Sequence, residues 1–175
     1  MKKIITTVLA LCLVFTMAVP AFADSGSITT AGGSSSVPVT LTTSAATFSV
    51  TVPTGFPISV SSDGTVTCAS NLKIVNNSKG QIKVSSVAIE GKNSWTLVDF
   101  TTDFSKKAAN TKEFGFKLEG KNVPSSGTAD ISSFAAIDGN GGEMALTYDA
   151  NIAVQATELV DAKIADAVFT IGWNN

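Results

Sequence analysis

Alternating apolar and polar residues are the dominant pattern in this chain. The segment "TFSVTV" (47–52) places Phe48 and two valines on one face and Thr and Ser on the other. The segments "EFGFKL" (113–118) and "AVFTIGW" (167–173) show the same period. A period of two residues is typical of a β-strand with one buried face. The pattern therefore predicts an all-β fold. We also interpret "ELVDAKIADA" (158–167) as a strand, with a helical turn as the alternative.

Turn residues between the apolar runs predict how the strands connect. Asp63-Gly64 separates two alternating runs, which favours a type I′ hairpin with both central residues at positive φ. The segment 76–80 separates the runs 72–76 and 82–84, which predicts a second hairpin. Further along, Val87 and Ile89 have the opposite parity to the residues before them. This change of parity predicts a β-bulge near Ser85-Ser86, or a strand that changes sheets.

The number and spacing of these runs predict the architecture. About nine to eleven strands follow one another at the short spacing typical of a sandwich. We expect residues 37–175 to form a single antiparallel β-sandwich of the Ig-like or jelly-roll type. The first run, Val37–Thr42 ("VPVTLT"), contains Pro38 and is predicted to join a sheet edge.

The N-terminus is typical of a cleavable secretory signal. Two lysines precede an apolar stretch from Ile4 to Val19, and Ala21-Phe22-Ala23 fits a cleavage site. Residues 1–23 are therefore predicted to be a signal peptide, with no membrane span left in the mature protein. The segment 24–36 is rich in Ser, Gly and Thr and is expected to be flexible. The protein is expected to be extracellular or associated with the cell surface.

Composition argues against several classes of function. The chain has 12 basic and 14 acidic residues, with neither Arg nor His. Its lysines are scattered, whereas nucleic-acid binding requires a basic face. Without His there is no Cys–His pair or serine–histidine site, so we expect no enzyme. Once the signal is removed, Cys68 is the only cysteine. A buried structural thiol is the first interpretation, and an intermolecular disulfide is an alternative.

One loop has a pattern that suggests a metal ion. In "DGNGGE", Asp138, Asn140 and Glu143 offer side-chain oxygens, which calcium prefers. The match to an EF-hand loop fails after the third position, because Gly142 stands at the fifth. The alternative is a plain glycine-rich connection before a strand. No other cofactor is expected.

Aromatic residues offer a candidate surface for carbohydrate. We expect Trp95 and Tyr148 to be exposed, and Phe100 and Phe104 to form a small apolar patch in "DFTTDF". Exposed aromatic faces are what sugar binding would need. The remaining large aromatic residues fit inward alternation and are predicted to lie in the core: Phe48, Phe114, Phe116, Phe169 and Trp173.

Two stretches carry a family resemblance. "KNSWTLVDF" and "DAVFTIGW" make the chain resemble small secreted surface proteins of Gram-positive bacteria, faintly WxL-type wall-associated domains and TasA-type fibre subunits. The resemblance covers only short stretches of the chain. The paired W-x-L signature is incomplete, because Trp173 is followed by Asn174-Asn175. The resemblance to fibre subunits implies assembly by donor-strand exchange, in which the N-terminal segment of one subunit completes the sheet of the next.

The segment before Gly32 is the candidate for such a donated strand. Ser27, Ile28, Thr29 and Thr30 are predicted either to be disordered or to pair with another molecule. The expected function is a secreted, non-enzymatic cell-surface or extracellular-matrix structural protein, a candidate fibre subunit that self-associates or binds other surface proteins. The alternative is a monomeric adhesin or a wall-associated, carbohydrate-binding module whose partner is a cell-wall or other polysaccharide.

Overall fold

The computed structural model describes residues 28–175, in two units divided at Thr43/Ser44. The predicted signal peptide and Ser27 lie outside the described residues. Within 28–43 every residue is exposed and none belongs to a strand. The prediction that Val37–Thr42 joins a sheet edge is therefore wrong. A strand needs a hydrogen-bonded neighbour, and this segment forms no ladder with any described residue.

The second unit, residues 44–175, is an all-β structure. It contains one short 3-10 turn, Phe104–Lys106, and no α-helix. Across residues 28–175, no helix has the length and apolar character needed to cross a bilayer. The strands are β1 Val50–Thr51, β2 Ile58–Val60, β3 Val66–Cys68, β4 Leu72–Asn76, β5 Ile82–Gly91, β6 Thr96–Val98, β7 Glu113–Leu118, β8 Lys121–Asn122, β9 Gly142–Leu146, β10 Tyr148–Ile152 and β11 Ala165–Trp173.

These strands form several small, mostly antiparallel sheets. Their orders are β1-β4-β9, β10-β7-β6 with β8 also paired to β7, β11-β5, and β2-β3. All pairs are antiparallel except β6 and β7, which run parallel. A parallel pair needs a crossover connection, and residues 99–112 with the 3-10 turn supply it. The all-β prediction is confirmed, and this pair departs from the purely antiparallel arrangement.

The core is built from the inward faces of the central strands. Phe114, Phe116 and Leu118 of β7 are buried as predicted, and Gly115 between them is buried as well. A Cβ at Gly115 would lie 2.6 Å from the Cα of Phe100, so the chain following β6 packs directly on this strand. Each fully buried large apolar side chain contributes about 1.5–3 kcal/mol relative to exposure. Burial on both faces of β7 makes it the centre of the unit.

Strand β5 changes parity at a bulge, as predicted. In its pairing with β11, Ile171 is opposite Val84 and Thr170 is opposite Ser86, so Ser85 has no opposing residue. The extra residue moves the following side chains to the other parity. As a result, Val84 before the bulge and Val87 after it are both fully buried.

The buried amide of Asn76 joins two loops. Its Nδ2 donates to the carbonyl oxygens of Gly80 at 2.9 Å, Ile137 at 3.0 Å and Asp138 at 3.0 Å. Its Oδ1 accepts from the main-chain N–H of Ser78 at 3.0 Å. The bonds satisfy buried main-chain groups that a loop would otherwise leave without partners. Asn76 therefore fixes the 76–80 turn against the glycine-rich segment 137–141.

That turn does not form the predicted second hairpin. Strand β4 pairs with β1 and β9, whereas β5 pairs with β11. The segment 76–80 carries the chain from one sheet to another, because its main-chain bonds go to residues 137–141 and 49. The prediction of a β4–β5 hairpin is therefore wrong.

The first hairpin exists but has a different turn. Strands β2 and β3 pair antiparallel, and the loop between them is closed by bonds between Ser61 and Thr65 and between Gly64 and Ser61. Gly64 has φ 83°, but Asp63 is not at positive φ, so the turn is not type I′. Instead the Asp63 carboxylate accepts from the Ser61 hydroxyl at 2.5 Å and the Thr65 N–H at 2.9 Å.

Three further predictions near the ends of the second unit are wrong: a strand that begins at Glu158, and core positions for Phe48 and Trp173. Residues 158–164 form no strand, and β11 begins only at Ala165. Residues 158–163 are all exposed and Asp161 has φ 48°, which is incompatible with a continuous extended strand. Phe48 and Trp173 lie outside the buried core and pack edge to face on each other, with ring centroids 5.1 Å apart.

Candidate functional site

An open cleft with a mixed polar and apolar lining lies in the second unit. It has a volume of about 1350 Å³. One wall is residues 52–62, which include β2, and the other is residues 154–167, which lead into β11. Six large side chains of the core or packed against it line this space: Phe56, Ile89, Trp95, Phe114, Phe116 and Phe169.

The sheet topology explains why the cleft is open. Strand β5 pairs with β11 along one edge, and residues 127–129 cover its other edge. There the Ile89 N–H donates to the Gly127 carbonyl at 2.8 Å and the Ala129 N–H to the Val87 carbonyl at 2.9 Å. Strand β11 pairs only with β5, and β2 only with β3, within the described part of the chain. Both β2 and β11 line the cleft. The cleft thus lies between two strands that each have one edge without a strand partner.

An aromatic cluster lies beneath the cleft. Phe56 packs edge to face on Tyr148 at 4.9 Å and on Phe116 at 5.8 Å, and stacks on Phe169 at 6.3 Å. The Tyr148 hydroxyl donates to the Pro57 carbonyl and accepts from a main-chain N–H at 2.9 Å. Burial raises the pKa of Tyr148. The expectation that Tyr148 is exposed is wrong, because β10 alternation turns its ring inward and its hydroxyl finds main-chain partners.

The other candidate aromatic residues are also withdrawn from the surface. Trp95 is only 7% exposed, because it precedes β6 and points to the same side as buried Leu97. Phe104 is buried in the 3-10 turn that crosses between β6 and β7. Phe100 is half-buried, and the Lys117 ammonium lies 4.3 Å from its ring centroid. Phe100 and Phe104 therefore do not form the predicted exposed patch.

A smaller cavity of about 260 Å³ adjoins the cleft, and Trp95 is one of the residues that line it. Three amide side chains and two lysines line it, together with small and apolar residues. Trp95, Gln155 and Lys163 line both this cavity and the larger cleft. The exposed part of Trp95 is thus at a cavity that sequence alternation alone did not indicate.

The candidate calcium residues do not converge. The Asp138 carboxylate accepts from the Gln81 amide at 2.6 Å, and the Glu143 carboxylate pairs with the Lys73 ammonium at 2.6 Å. Asn140 lies in a turn at φ 59°, and its main-chain N–H donates to the Ser78 carbonyl at 2.7 Å. Within residues 28–175 there is no group of three Cys, Asp or Glu side chains placed to hold a metal ion. The geometry therefore favours the glycine-rich connection over a calcium site.

Cys68 is a half-buried free thiol at the end of β3, where it is paired opposite Ile58. Its partial burial is the main cause of a raised pKa. A raised pKa reduces the thiolate fraction at neutral pH, and the thiolate is the reactive form. The site therefore does not provide an activated nucleophile.

The cleft could not have been found by reading the alternation. Its rim includes Val154, Leu159 and Val160, which are exposed apolar residues. The only sequence signal is that these residues cluster in a segment with too many polar neighbours for a core strand. Their shared location follows from the tertiary arrangement of β2 and β11.

No known protein family, curated protein or solved structure matches this chain. The fold itself defines the class: an all-β protein with several antiparallel sheets around a shared core. The cleft and the exposed segment 28–43 are the two features of this molecule that point to a function.

Proposed function

We propose that this protein is a secreted, non-enzymatic structural subunit of a cell surface or extracellular matrix, and that its copies assemble by strand donation. In this proposal the second unit is an incomplete β-sandwich. The segment 37–42 of one copy adds to the cleft between β2 and β11 of another. The signal-like N-terminus supports secretion.

The observation that carries the proposal is a cleft lined by β2 and β11, each of which has one edge without a strand partner in the described part of the chain. A strand between β2 and β11 would join the two-stranded sheets into the order β3-β2-donor-β11-β5. Pro38 has no N–H and would lie at the start of the added strand, so main-chain hydrogen bonds on both sides would come from Val39 onwards, and alternate side chains would enter the cleft. Without a donor, the unpaired N–H and C=O groups on the edges of β2 and β11 would be open to uncontrolled pairing with other chains.

The segment 37–42 has the chemistry of such a donor. Val37, Val39 and Leu41 alternate with polar or small residues and are 72%, 98% and 85% exposed. Burying each would contribute about 1.5–3 kcal/mol. The sum is comparable to the roughly 4–15 kcal/mol that association costs, so main-chain pairing has to supply part of the affinity.

This segment is a better donor than the residues first predicted from sequence. Ile28 is the only large apolar residue in Ser27–Thr30. The chain then turns at once, because the Gly33 N–H donates to the Thr30 carbonyl at 3.0 Å and Gly32 has φ 82°. A donor needs several alternating side chains to fix its register. Residues 37–42 meet that need, whereas residues 27–30 could only lengthen the paired segment.

The experiment compares three forms of the protein that begin at Asp24, Val37 and Ser44. Light scattering across concentration and negative-stain electron microscopy measure assembly. We expect the first two forms to make concentration-dependent polymers and the third to remain monomeric. If the form that begins at Val37 is monomeric, the donor lies in 24–36. If all three are monomeric, the adhesin alternative replaces the assembly proposal.

A peptide supplies an independent arm of the same test. A synthetic peptide of residues 37–43 is expected to bind the form that begins at Ser44 and to block polymerisation of the longer forms. A peptide with the same composition in scrambled order is the matched control. Equal effects of the two peptides would contradict pairing in a defined register. N-terminal sequencing of the secreted protein tests the predicted cleavage after Ala23.

A further inference from the structure

The small cavity beside the cleft has an unusual lining for a protein of this composition. It is bounded by Asn93, Trp95, Asn110, Lys112, Gln155 and Lys163, with a volume of about 260 Å³. That volume suits one small polar ligand rather than a peptide strand. Amides and a tryptophan in a concave site are typical of ligand pockets with a few precisely placed polar groups.

Main-chain bonds hold the loops around this cavity together. Lys92 donates to the Ile164 carbonyl at 2.8 Å and Asn110 to the Val154 carbonyl at 2.8 Å. Thr96 donates to the Lys112 carbonyl at 2.9 Å. A Cβ at Gly91 would lie 2.1 Å from the Trp95 carbonyl, so the loop carrying the tryptophan is closely packed. The backbone of the loops that line this open depression is therefore held in place, which lowers the ordering cost of binding.

Each of the three amides is fixed at one end. Asn93 Nδ2 donates to the Lys163 carbonyl at 2.8 Å, and Gln155 Nε2 donates to the Ala153 carbonyl at 2.9 Å. Asn110 Oδ1 accepts from a main-chain N–H at 2.8 Å. Among residues 28–175, the other ends have no hydrogen-bond partner: Asn93 Oδ1, Gln155 Oε1 and Asn110 Nδ2. The residues that line the cavity thus leave two acceptors and one donor without a protein partner.

The charge at the cavity is positive, although the chain is acidic overall. No Asp or Glu lines it. Lys163 is paired with Asp166 at 2.6 Å, but Lys112 makes no ion pair with any described residue. The Lys112 ammonium approaches only the Asn93 carbonyl, at 3.5 Å. One cationic group therefore remains for an anion.

We propose that this cavity binds a single carboxylated hexose unit of an acidic polysaccharide. The sugar carboxylate pairs with Lys112, ring hydroxyls bond to the free amide ends, and the sugar contacts the small exposed edge of Trp95 without stacking on its ring face. Charge-assisted hydrogen bonds are the stronger kind, so Lys112 sets the preference for an acidic sugar. This inference is independent of strand donation, since it uses neither residues 37–42 nor the edges of β2 and β11.

Tryptophan fluorescence provides the test, because the chain has two tryptophans. The Trp173→Phe variant reports on Trp95 alone, and the Trp95→Phe variant reports on Trp173. Glucuronate and galacturonate oligosaccharides are the probes, with glucose oligosaccharides, acetate and inorganic phosphate for comparison. We expect saturable changes with the acidic sugars in the Trp173→Phe protein and none in the Trp95→Phe protein.

Two substitutions examine the roles of charge and amide. Lys112→Gln is expected to weaken acidic-sugar binding by roughly tenfold, through loss of a charge-assisted bond. Asn110→Asp keeps the acceptor for the main chain but removes the donor and adds a negative charge, so it should weaken binding at least as much. Lys83→Gln, on the exposed side of β5, is the matched control and should leave the affinity unchanged.

Three outcomes overturn the inference. One is that no probe changes the Trp95 signal at millimolar concentration. Another is that neutral sugars bind as tightly as the acidic ones, or that acetate and phosphate match them, which would leave no role for the sugar ring or for its charge. The third is that Lys112→Gln and Asn110→Asp bind like the control while circular dichroism shows that they are folded.

Discussion

Replacing one exposed valine by lysine tests the strand-donation proposal at a single side chain. Val39 is 98% exposed in the first unit, so almost all of its surface is available for burial in a partner's cleft. Burial of a valine contributes about 1.5–3 kcal/mol, and Val39→Lys would lose this and also place a charge in an apolar site. We therefore expect the critical concentration for polymerisation to rise by about tenfold to a hundredfold or more.

Thr40→Lys is the matched control, because it adds the same charge to the next residue. In an extended donor, Thr40 points away from the cleft floor, and its lysine remains in water. The expected change in critical concentration is less than about threefold, the size of a surface substitution. Sedimentation of polymers across a concentration series measures both variants.

The comparison of the two variants decides the result. Equal and large effects would show that charge on the segment matters and alternation does not, which contradicts strand pairing. Equal and negligible effects would show that residues 37–42 do not enter an interface. Val39→Ile, which keeps an apolar β-branched side chain, should polymerise like the unaltered protein.

Two further predictions concern the second unit alone. Asn76→Ala should lower the free energy of unfolding in urea by about 3 kcal/mol, because it removes the bonds to three main-chain carbonyls and one buried N–H. The exposed Asn77→Ala should cost less than about 0.5 kcal/mol, and similar costs for the two would contradict the role given to Asn76. The pKa of Asp63 is lowered to about 2, first by the Ser61 hydroxyl and then by the Thr65 N–H. The contribution of Asp63 to stability is therefore fully present above its unfolded pKa of about 4 and is lost as the pH falls through about 2. Carbon NMR of the Asp63 carboxyl should show that low midpoint, whereas a midpoint near 4 would refute the turn geometry.

Local patterns predicted the strands better than their partners. The alternation in 113–118 identified β7 and its buried face, and the change of parity after Val84 located the bulge. Both features are properties of consecutive residues. The partner of β4 was predicted wrongly, because the 76–80 turn is held by Asn76 bonds to residues 137 and 138, about sixty positions away. No reading of neighbouring residues reveals such a contact.

The candidate site shows the same division between local and distant information. Val37, Val39 and Leu41 were recognised as one apolar face, but a partner strand was assumed for them that the structure lacks. Trp95 and Tyr148 were expected on the surface, because composition does not show which side of a strand meets the core. The cleft and the amide-lined cavity depend on how 52–62 and 154–167 lie against each other, which is a purely tertiary relation.

The unopposed Ser85 has a consequence for how this protein can change over time. The inward face of β5 before Ser85 and the inward face after it are out of phase by one residue. Deleting Ser85 would remove the unopposed residue and restore a regular ladder with β11, so Ile82, Val84, Val87 and Ile89 would still share the inward face. Deleting two residues between Val84 and Val87 would instead turn one half of the strand outward, because no bulge would compensate for the change of parity. The strand can therefore lose one residue at this point and keep its buried face, but it cannot lose two.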